Sequence, residues 1–327
     1  MIITRTPFRI SFAGGGSDME SFYSQEPGMV ISSAINKYMY ISVMERFGNT
    51  FRISYSRTEL RDEVEQIEHP IVRECLQRLN LRKGFEIVSM AELPAETGMG
   101  SSSSFTVGLL HALHAFQGHV VTAEYLAAGA CDVEIEKLKE PIGKQDQYIA
   151  AYGGLQMIRF QPDGHVCVDP VICSAATKQE LNRRLVVFYT GKTRSAREVL
   201  TRQRANAGQH AAALRRMCEI ACQLRDILTL GKDLNAFGEL LHKAWEIKRS
   251  LESSISNPRI DECYERGLRA GALGGKLLGA GGGGFLLFFC EPHLQDQLRR
   301  ELAELTEMPF QLEPEGSKVI HVGSDRW

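Results

Sequence analysis

Three separated glycine-rich segments are the part of this 327-residue sequence best suited to chemistry. They occupy residues 8–18, 93–104 and 276–284. Glycine lets backbone N–H groups approach an anion closely and adopt positive φ angles. The second segment continues into a helical pattern, and the N-terminus of a helix favours negative charge. Together the three segments predict a site for the phosphates of a nucleotide.

The second segment places four serines, Ser101 to Ser104, directly behind Gly98 and Gly100. Serines at the start of an apolar helix can act simply as N-caps. That role does not explain four serines behind two glycines. Backbone N–H groups and hydroxyls at a positive helix end suit the β- and γ-phosphates of a nucleotide and their magnesium ion. We therefore interpret residues 98–104 as a phosphate loop.

The third segment contains residues 279–284, here called the third loop, which fit the dinucleotide-binding pattern G-x-G-x-x-G. That pattern requires a helix after the glycines, whereas an apolar strand pattern follows here, at residues 285–289. A tight hairpin is the structural alternative, but it needs one or two glycines rather than four. Gly191-Lys-Thr193 imitates the end of a Walker A motif, yet the first glycine of that motif would fall at Val186, inside a strand. Neither a dinucleotide fold nor a P-loop is predicted.

The first segment combines Arg9 with the glycine run at residues 14–16 and with Asp18. Alone, Arg9 would be an ordinary strand residue and the glycines an ordinary turn. The carboxylate of Asp18 can accept hydrogen bonds from hydroxyl donors at each of its oxygens.

The elements that must position these segments are readable from periodicity. Strands are predicted at 30–44, 51–55, 85–89, 155–160, 185–189, 283–289 and 318–322. Helices are predicted at 101–117, 123–139 and 294–305, with an almost wholly helical stretch over 195–270. This pattern indicates an α+β arrangement of two lobes, with the break near residues 170–185.

Composition narrows the class of partner. A net charge of −2 with 24% charged residues provides no basic field for nucleic acid or an anionic membrane. We expect a cytoplasmic protein, because a signal peptide and an apolar run of about 18 residues are both missing from the pattern. The eight cysteines form no CxxC pair and are expected to be reduced, and the histidines show no metal signature, so no structural metal is predicted. A homodimer stays open, since no interface is readable.

The order, contents and spacing of the three segments resemble the galactokinase, homoserine kinase, mevalonate kinase and phosphomevalonate kinase (GHMP) superfamily. The second segment resembles its motif Pro-x-x-x-Gly-Leu-Gly-Ser-Ser-Ala, with Pro94 in register and Met99 in place of leucine. The resemblance implies a two-lobed α+β fold, with an N-terminal ribosomal-protein-like α/β lobe and a C-terminal ferredoxin-like lobe carrying helical insertions. ATP and substrate would lie in the cleft between the lobes. We expect residues 1–180 and 181–327 to form the two domains.

The resemblance also implies roles for single residues. Asp146 matches the catalytic aspartate of galactokinase-like enzymes, which orients or deprotonates the attacking hydroxyl, and Arg9 matches a basic residue near the transferred phosphoryl group. Glu136 matches the magnesium-binding glutamate, with Asp132 as the alternative ligand. Without the neighbouring motifs, these two residues and Glu134 would be interpreted as a solvated acidic face.

The implied ligands are ATP and Mg²⁺. Ser102 is the expected magnesium-contacting hydroxyl, and Ser101 and Ser103 are its alternatives. The residues expected to bind ATP belong to the two later segments: Gly98, Met99, Gly100, Ser101, Ser102, Ser103, Gly279, Gly281 and Gly282.

Within the superfamily, residues 5–18, 35–38 and 189–196 most resemble bacterial D-glycero-D-manno-heptose 7-phosphate kinases. That resemblance implies transfer of the ATP γ-phosphoryl group to the anomeric C1 hydroxyl. The product would be the 1,7-bisphosphate, a precursor of nucleotide-activated heptose for capsule or other surface glycans. A sugar phosphate needs cationic partners at its distal end, and Lys192 and Arg194 are the candidates, with Lys37 and Arg5 behind them. The expected substrate-binding residues are Gly16, Ser17, Asp18, Lys37, Lys192 and Arg194.

Two other functions remain as alternatives. A 1-kinase for an unphosphorylated hexose such as fucose or galactose would not need the cationic cluster. A sugar or nucleotide sensor on the same fold is the non-enzyme alternative. Loss of Asp146 or Glu136 would have favoured the sensor, but both residues are present.

Overall fold

The computed structural model describes residues 1–191, 196–205, 207–231 and 233–323. Its strands form two sheets. The first sheet contains β1 (Ile2–Ala13), β2 (Gly28–Glu45), β3 (Phe51–Ser54), β4 (Thr58–Arg61), β5 (Phe85–Ala91), β6 (Leu155–Phe160), β7 (Val166–Pro170) and β12 (Lys318–Val322). The second contains β8 (Leu185–Tyr189), β9 (Ala272–Leu277), β10 (Phe285–Cys290) and β11 (Thr306–Glu307).

The helices pack around these sheets. They are α1 (Glu20–Tyr23), α2 (Pro70–Arg78), α3 (Ser101–Phe116), α4 (Ala123–Cys131), α5 (Gln145–Tyr152), α6 (Ala175–Arg184), α7 (Ala196–Ala205), α8 (Ala207–Leu230), α9 (Asn235–Leu251), α10 (Pro258–Arg269) and α11 (Gln295–Glu301). A π-helical turn at Asp132–Lys137 follows α4, and short 3-10 turns lie at Val64–Gln66 and Pro292–Leu294. No helix in these described ranges is long and apolar enough to cross a membrane.

The first sheet is organised around β2, which is long enough to have a different neighbour at each end. Residues 28–33 pair with β6, and residues 39–45 pair with β5, while β1 runs antiparallel along the other side. The strand order is β12-β1-β2-β5-β3-β4. A register shift between Pro7 and Phe8 leaves Asn36 and Lys37 of β2 without direct partners in β1. Lys37 therefore lies in a β-bulge.

Helix α3 covers the first sheet at close range because of one glycine. Thr4 Oγ1 donates a hydrogen bond of 2.9 Å to the Gly108 carbonyl, although the two residues are 104 positions apart. A Cβ at Gly108 would lie 2.7 Å from Thr6 Oγ1. This contact fixes the axis of α3 over β1, and with it the position of the phosphate loop at the helix N-terminus.

The predicted two-lobed α+β architecture is confirmed, and the sequence places most elements correctly. The helix predicted over 123–139 ends earlier, at Cys131, where the π-helical turn begins. The proposed division after residue 180 falls inside α6, between β7 of the first sheet and β8 of the second. Residues 318–322 do not belong to the C-terminal lobe as expected, because β12 pairs antiparallel with β1. Along the chain, the strands of the second sheet therefore lie between β7 and β12 of the first sheet.

Candidate active site

A cleft of about 440 Å³ opens where all three glycine-rich segments meet. Its walls come from the first segment, the phosphate loop, the third loop and the start of α5, together with side chains from α7 and α9. The lining residues used below are Arg9, Gly16, Asp18, Gly98, Gly100, Ser101, Ser102, Ser103, Asp146, Arg197, Lys248, Lys276 and Gly279. The three segments singled out from the sequence thus form one concave surface.

The phosphate loop reaches this cleft through backbone conformations that favour glycine. Gly98 and Gly100 both have φ of +77°, and Gly100 is the left-handed N-cap residue of α3. The N-terminus of a 16-residue helix, with its exposed N–H groups and positive dipole end, therefore faces the cleft. Met99 differs from its neighbours, because its side chain is buried in the core and it does not line the cleft.

The third loop is a hairpin connection between the antiparallel strands β9 and β10. Its extra glycines are explained by the surfaces against which it packs. A Cβ at Gly279 would lie 2.2 Å from the Cα of Gly98, and one at Gly284 would lie 2.3 Å from the carbonyl oxygen of Thr97. Gly281 approaches Ile255 in the same way, and Gly282 donates a hydrogen bond of 2.9 Å to the Ile255 carbonyl. Of the three third-loop glycines expected to bind ATP, only Gly279 lines the cleft.

Arg9 and Asp146 form a bidentate ion pair at the centre of the cleft. Nε and Nη2 of Arg9 each donate a 2.7 Å bond to one carboxylate oxygen of Asp146. Nη1 of the same guanidinium donates a 2.6 Å bond to the Gly98 carbonyl. The Arg9 side chain is 5% exposed and that of Asp146 is 22% exposed, so solvent reaches mainly the carboxylate. A carboxylate next to the phosphate loop is thus held in one orientation.

Asp18 lies beside this pair with its carboxylate deeply buried. Oδ1 accepts a 2.8 Å bond from the Gly16 N–H, and Oδ2 accepts one of 3.3 Å from the Gln145 N–H. Burial raises the pKa of the Asp18 carboxyl, and the charge of Asp146 raises it further, although the hydrogen bonds from the backbone lower it. No cation pairs with Asp18 in the described ranges. A Cβ at Gly143 would lie 2.0 Å from Oδ2, so that glycine makes room for the carboxylate.

The structure places Glu134, not Glu136, against the phosphate loop. Glu134 is fully buried and accepts hydrogen bonds from Ser102 Oγ, Ser103 Oγ and Gln147 Nε2, the last two at 2.9 and 2.7 Å. Glu136 is exposed and pairs with Lys139. The assignment of Glu136 therefore needs correction.

The π-helical turn explains the difference. Within this turn, at residues 132–137, Glu134 is buried and Glu136 is exposed, whereas Glu136 was selected from the sequence by its match to a family glutamate. The alternative ligand Asp132 pairs with Arg78, away from the cleft.

Glu134 fits a magnesium ligand because its charge is otherwise uncompensated. Its hydrogen-bond donors are neutral, and no Lys or Arg of the described residues pairs with it. Burial raises the pKa of its carboxyl, although the three hydrogen bonds act in the opposite direction. Among the described residues, no group of three or more His, Cys, Asp or Glu side chains is arranged to hold a metal ion by itself. Mg²⁺ commonly binds one or two carboxylates together with substrate phosphates, so a single carboxylate such as that of Glu134, beside Ser102, fits this kind of site.

Two buried lysines in the cleft were not identified from the sequence as site residues. Lys276 Nζ donates to the carbonyls of Ser11 and Phe12 at 2.7 and 3.1 Å, and Lys248 Nζ donates to the carbonyl of Gly279. Burial lowers the pKa of Lys248 to about 8 and that of Lys276 well below its ordinary value. Each lysine stands in an otherwise apolar stripe of a strand or helix, but that pattern does not indicate which other element the stripe packs against.

The remaining predicted substrate residues separate into three groups. Gly16 lines the cleft, but Ser17 is buried behind it, where its hydroxyl bonds to the backbone of Gly14 and Met29. Lys37 is not among the residues that line the cleft. Lys192 and Arg194 lie outside the described residues.

Arg5, named behind these candidates, is also directed elsewhere, since it pairs with Glu315 and stacks over the Tyr38 ring. On the described surface of the cleft, Arg197 in the first turn of α7 is a cation that the sequence analysis did not select.

Comparison with known proteins identifies the class that this fold and cleft define. The family profile described as GHMP kinases N terminal domain matches residues 67–154, and that described as GHMP kinases C terminal matches residues 211–306. Together the two matches cover more than half of the chain. The protein belongs to the GHMP kinase family and is an ATP-dependent phosphotransferase.

Individual relatives extend the match over nearly the whole chain. D-glycero-α-D-manno-heptose 7-phosphate kinase of Campylobacter jejuni is 26% identical, with 94% of this chain and 96% of that protein aligned. The bifunctional fucokinase/GDP-fucose pyrophosphorylase of Arabidopsis thaliana is also 26% identical, over 92% of this chain but 31% of its own length. A crystal structure described as a D-glycero-D-manno-heptose 1-phosphate kinase from Bacteroides thetaiotaomicron superposes with a TM-score of 0.83. Its identity is 24%, with 99% and 100% of the two chains covered, so this likeness concerns the fold.

Proposed function

We propose that the protein is a sugar 1-kinase that phosphorylates the anomeric hydroxyl of D-glycero-D-manno-heptose 7-phosphate with ATP. The product, the 1,7-bisphosphate, would feed the synthesis of nucleotide-activated heptose for surface glycans. The observation that carries the proposal is the arrangement of Arg9, Asp146 and Asp18, in which a fixed carboxylate and a buried hydrogen-bond acceptor lie side by side next to the phosphate loop.

In this reaction Asp146 accepts the proton of the attacking hydroxyl. The acceptor oxygen forms a bond to the γ-phosphorus while the bond from that phosphorus to the bridging oxygen breaks, and ADP leaves. Arg9 orients the carboxylate, because both of its oxygens accept hydrogen bonds from the guanidinium. Bound Mg²⁺ would supply charge neutralisation on the phosphates, and we propose Glu134 and Ser102 as its protein ligands.

Asp18 supports a polyhydroxyl acceptor. Each of its carboxylate oxygens accepts one bond from a backbone N–H, so lone pairs remain for hydroxyl donors of a ligand. Its burial strengthens such bonds, because hydrogen bonds are electrostatically stronger in surroundings of low dielectric constant. A sugar offers adjacent hydroxyls of the kind that this carboxylate can bind.

A cation is available for the distal phosphate on the α7 side of the cleft. Arg197 lines the cleft and lies within 3.7 Å of Glu140, so a cation is present at the α7 side. Lys192 and Arg194 remain proposals from the sequence. The likeness to the C. jejuni enzyme supports a heptose phosphate, and the plant relative supports an unphosphorylated 6-deoxyhexose as the second candidate.

The experiment is a coupled assay of ADP release with Mg²⁺ against a panel of acceptors. The panel contains heptose 7-phosphate, heptose 1-phosphate, free heptose, mannose, fucose and galactose, and phosphorus NMR of the product identifies the new phosphate ester. Selective turnover of heptose 7-phosphate with a new signal at C1 is expected. Turnover of fucose or galactose instead would move the function to a hexose 1-kinase, and turnover of heptose 1-phosphate would move the acceptor hydroxyl away from C1.

A further inference from the structure

Lys248 is a buried lysine on the otherwise apolar inner face of α9. It lies on the inner face of α9 among Leu241, Ala244, Trp245 and Leu251, all of which are buried. Only 7% of the residue is exposed. Burying an ammonium group costs several kcal/mol unless partners compensate it, on the order of the penalties seen for buried ions. An apolar residue would satisfy the packing of α9 without that cost.

The hydrogen bonding of Lys248 leaves part of the ammonium available. An ammonium has three N–H donors, and Gly279 is the acceptor that Lys248 finds among the described residues. Two other buried cations of the cleft, Lys276 and Arg9, have more of their N–H donors in hydrogen bonds. Lys276 donates to two carbonyls, and Arg9 donates to Asp146 and Gly98. Of these three cations, Lys248 therefore has the best capacity to bind an anion in the cleft.

The position of Lys248 relates it to both halves of the reaction. Through Gly279 it touches the third loop, which packs against Gly98 of the phosphate loop. Lys248 also lines the same cleft as Arg9, Asp18 and Asp146. The ammonium thus shares this cleft with the loops suited to phosphates and with the carboxylates suited to the acceptor.

We propose that the ammonium of Lys248 contacts the phosphoryl group while it passes from ATP to the acceptor hydroxyl. Negative charge on the three equatorial oxygens of the transferring group is stabilised by fixed cations in a site with little water. Lys248 remains protonated throughout, since Asp146 takes the proton of the hydroxyl. This role belongs to the kinase reaction itself and holds whichever sugar is the acceptor.

The test compares Lys248→Met with Lys243→Met, which removes an exposed lysine from the same helix. Methionine is close to lysine in length and suits the apolar stripe, so we expect both variants to keep the melting temperature of the parent. Lys248→Met should lower kcat by about 100-fold or more, the scale of losing one preorganised charge-stabilising donor. Its equilibrium affinity for ATP, measured by calorimetry, should stay within about threefold of the parent. Lys243→Met should change neither quantity.

A second readout separates this proposal from the choice of sugar. Slow transfer of the phosphoryl group from ATP to water requires no acceptor sugar, and Lys248→Met should reduce it in the same proportion. If the parent phosphorylates no sugar of the panel, the proposed substrate is wrong, but the hydrolysis comparison still tests Lys248. Rates within threefold of the parent would overturn the role of Lys248. So would a loss of rate matched by an equal loss of ATP affinity and a lower melting temperature, because that result describes a lysine that only ties α9 to the third loop.

Discussion

The guanidinium of Arg9 grips the carboxylate of Asp146 through two parallel hydrogen bonds of 2.7 Å, although 137 residues separate them in the chain. Because the same side chain also binds the Gly98 carbonyl, it links the first segment, the phosphate loop and α5. A displacement of any one of these elements would change the position of the proposed base. A change at Arg9 should therefore affect both the stability of the fold and the rate of the proposed reaction.

Asp146→Asn should abolish most of the turnover without weakening the binding of ATP. The amide keeps the shape of the carboxylate but cannot take a proton, and general bases contribute about 10²- to 10⁴-fold to rate. We expect a fall in kcat of that size with an ATP affinity within about threefold of the parent. The exposed Asp62→Asn serves as the matched control, and a residual rate above one tenth of the parent would argue against Asp146 as the base.

Arg9→Met should destabilise the fold as well as the reaction. It leaves the Asp146 carboxylate without its partner, and breaking a buried pair in this way costs about 3 kcal/mol at the low end of measured cases. We expect the free energy of unfolding in urea to fall by that amount. Adding Asp146→Asn removes the unpaired charge, so the double variant should be more stable than Arg9→Met alone. Additive losses in this cycle would show that the two side chains do not interact.

Gly98→Ala should impair ATP binding through close packing rather than through backbone strain alone. The new Cβ would lie 2.5 Å from the Leu278 carbonyl oxygen and would push the third loop away. Gly118→Ala is the control, because Gly118 has a similar φ of +79° with nothing within 4 Å of its Cβ position. Both variants bear the left-handed cost of about 1–2 kcal/mol. Only Gly98→Ala should lower the affinity for ATP, measured by calorimetry, by about tenfold or more. Equal affinities of the two variants for ATP would contradict the packing argument.

Glu134→Gln and Glu136→Gln test the corrected magnesium ligand. Glu134 is hydrogen-bonded to Ser102 and Ser103 of the phosphate loop, whereas Glu136 is exposed and pairs with Lys139. We expect Glu134→Gln to need at least about tenfold more Mg²⁺ for half-maximal rate. Titration of activity with Mg²⁺ at saturating ATP measures this shift. The opposite ranking of the two variants would restore the assignment made from the sequence.

The stability difference between Glu134→Gln and the parent should depend on pH in the absence of Mg²⁺. Burial raises the pKa of Glu134 above its ordinary value of 4.5, so the folded parent binds a proton more readily than the unfolded chain. The parent consequently loses stability as pH rises from about 4.5 through the raised pKa, whereas the glutamine variant does not. Melting temperatures should therefore favour the variant most at neutral pH, with the difference shrinking on acidification. A difference that grew towards low pH would contradict a raised pKa.

The sequence predicted those features that depend on local pattern. Glycines followed by serines at the start of an apolar helix identified the phosphate loop, because the conformations required there favour glycine and the helix begins within the same few residues. The strands of both sheets were mostly visible from β-branched and aromatic runs. Residues that act through their own loop, such as Gly98, Gly100 and Asp18, were therefore accessible without a structure.

Residues that act through contacts distant in sequence could not be identified without the structure. Glu134 was passed over because the match to a family glutamate selected Glu136, and only the packing of the π-helical turn against the phosphate loop distinguishes the two carboxylates. Ser17 was assigned to the substrate although the chain folds it under Met29. Lys248 and Lys276 gain their significance only when α9 and β9 pack beside the first segment. In each case the deciding quantity is burial against elements far away in sequence.

The pairing of β12 with β1 orders events during synthesis. Lys318–Val322 leaves the ribosome after every strand of the second sheet, yet it completes the first sheet beside Ile2–Arg5. Until then β1 carries an open edge, and an open edge invites pairing with other chains. A nascent chain would therefore carry the three glycine-rich segments on a first sheet whose β1 edge stays open until Lys318–Val322 pairs with it.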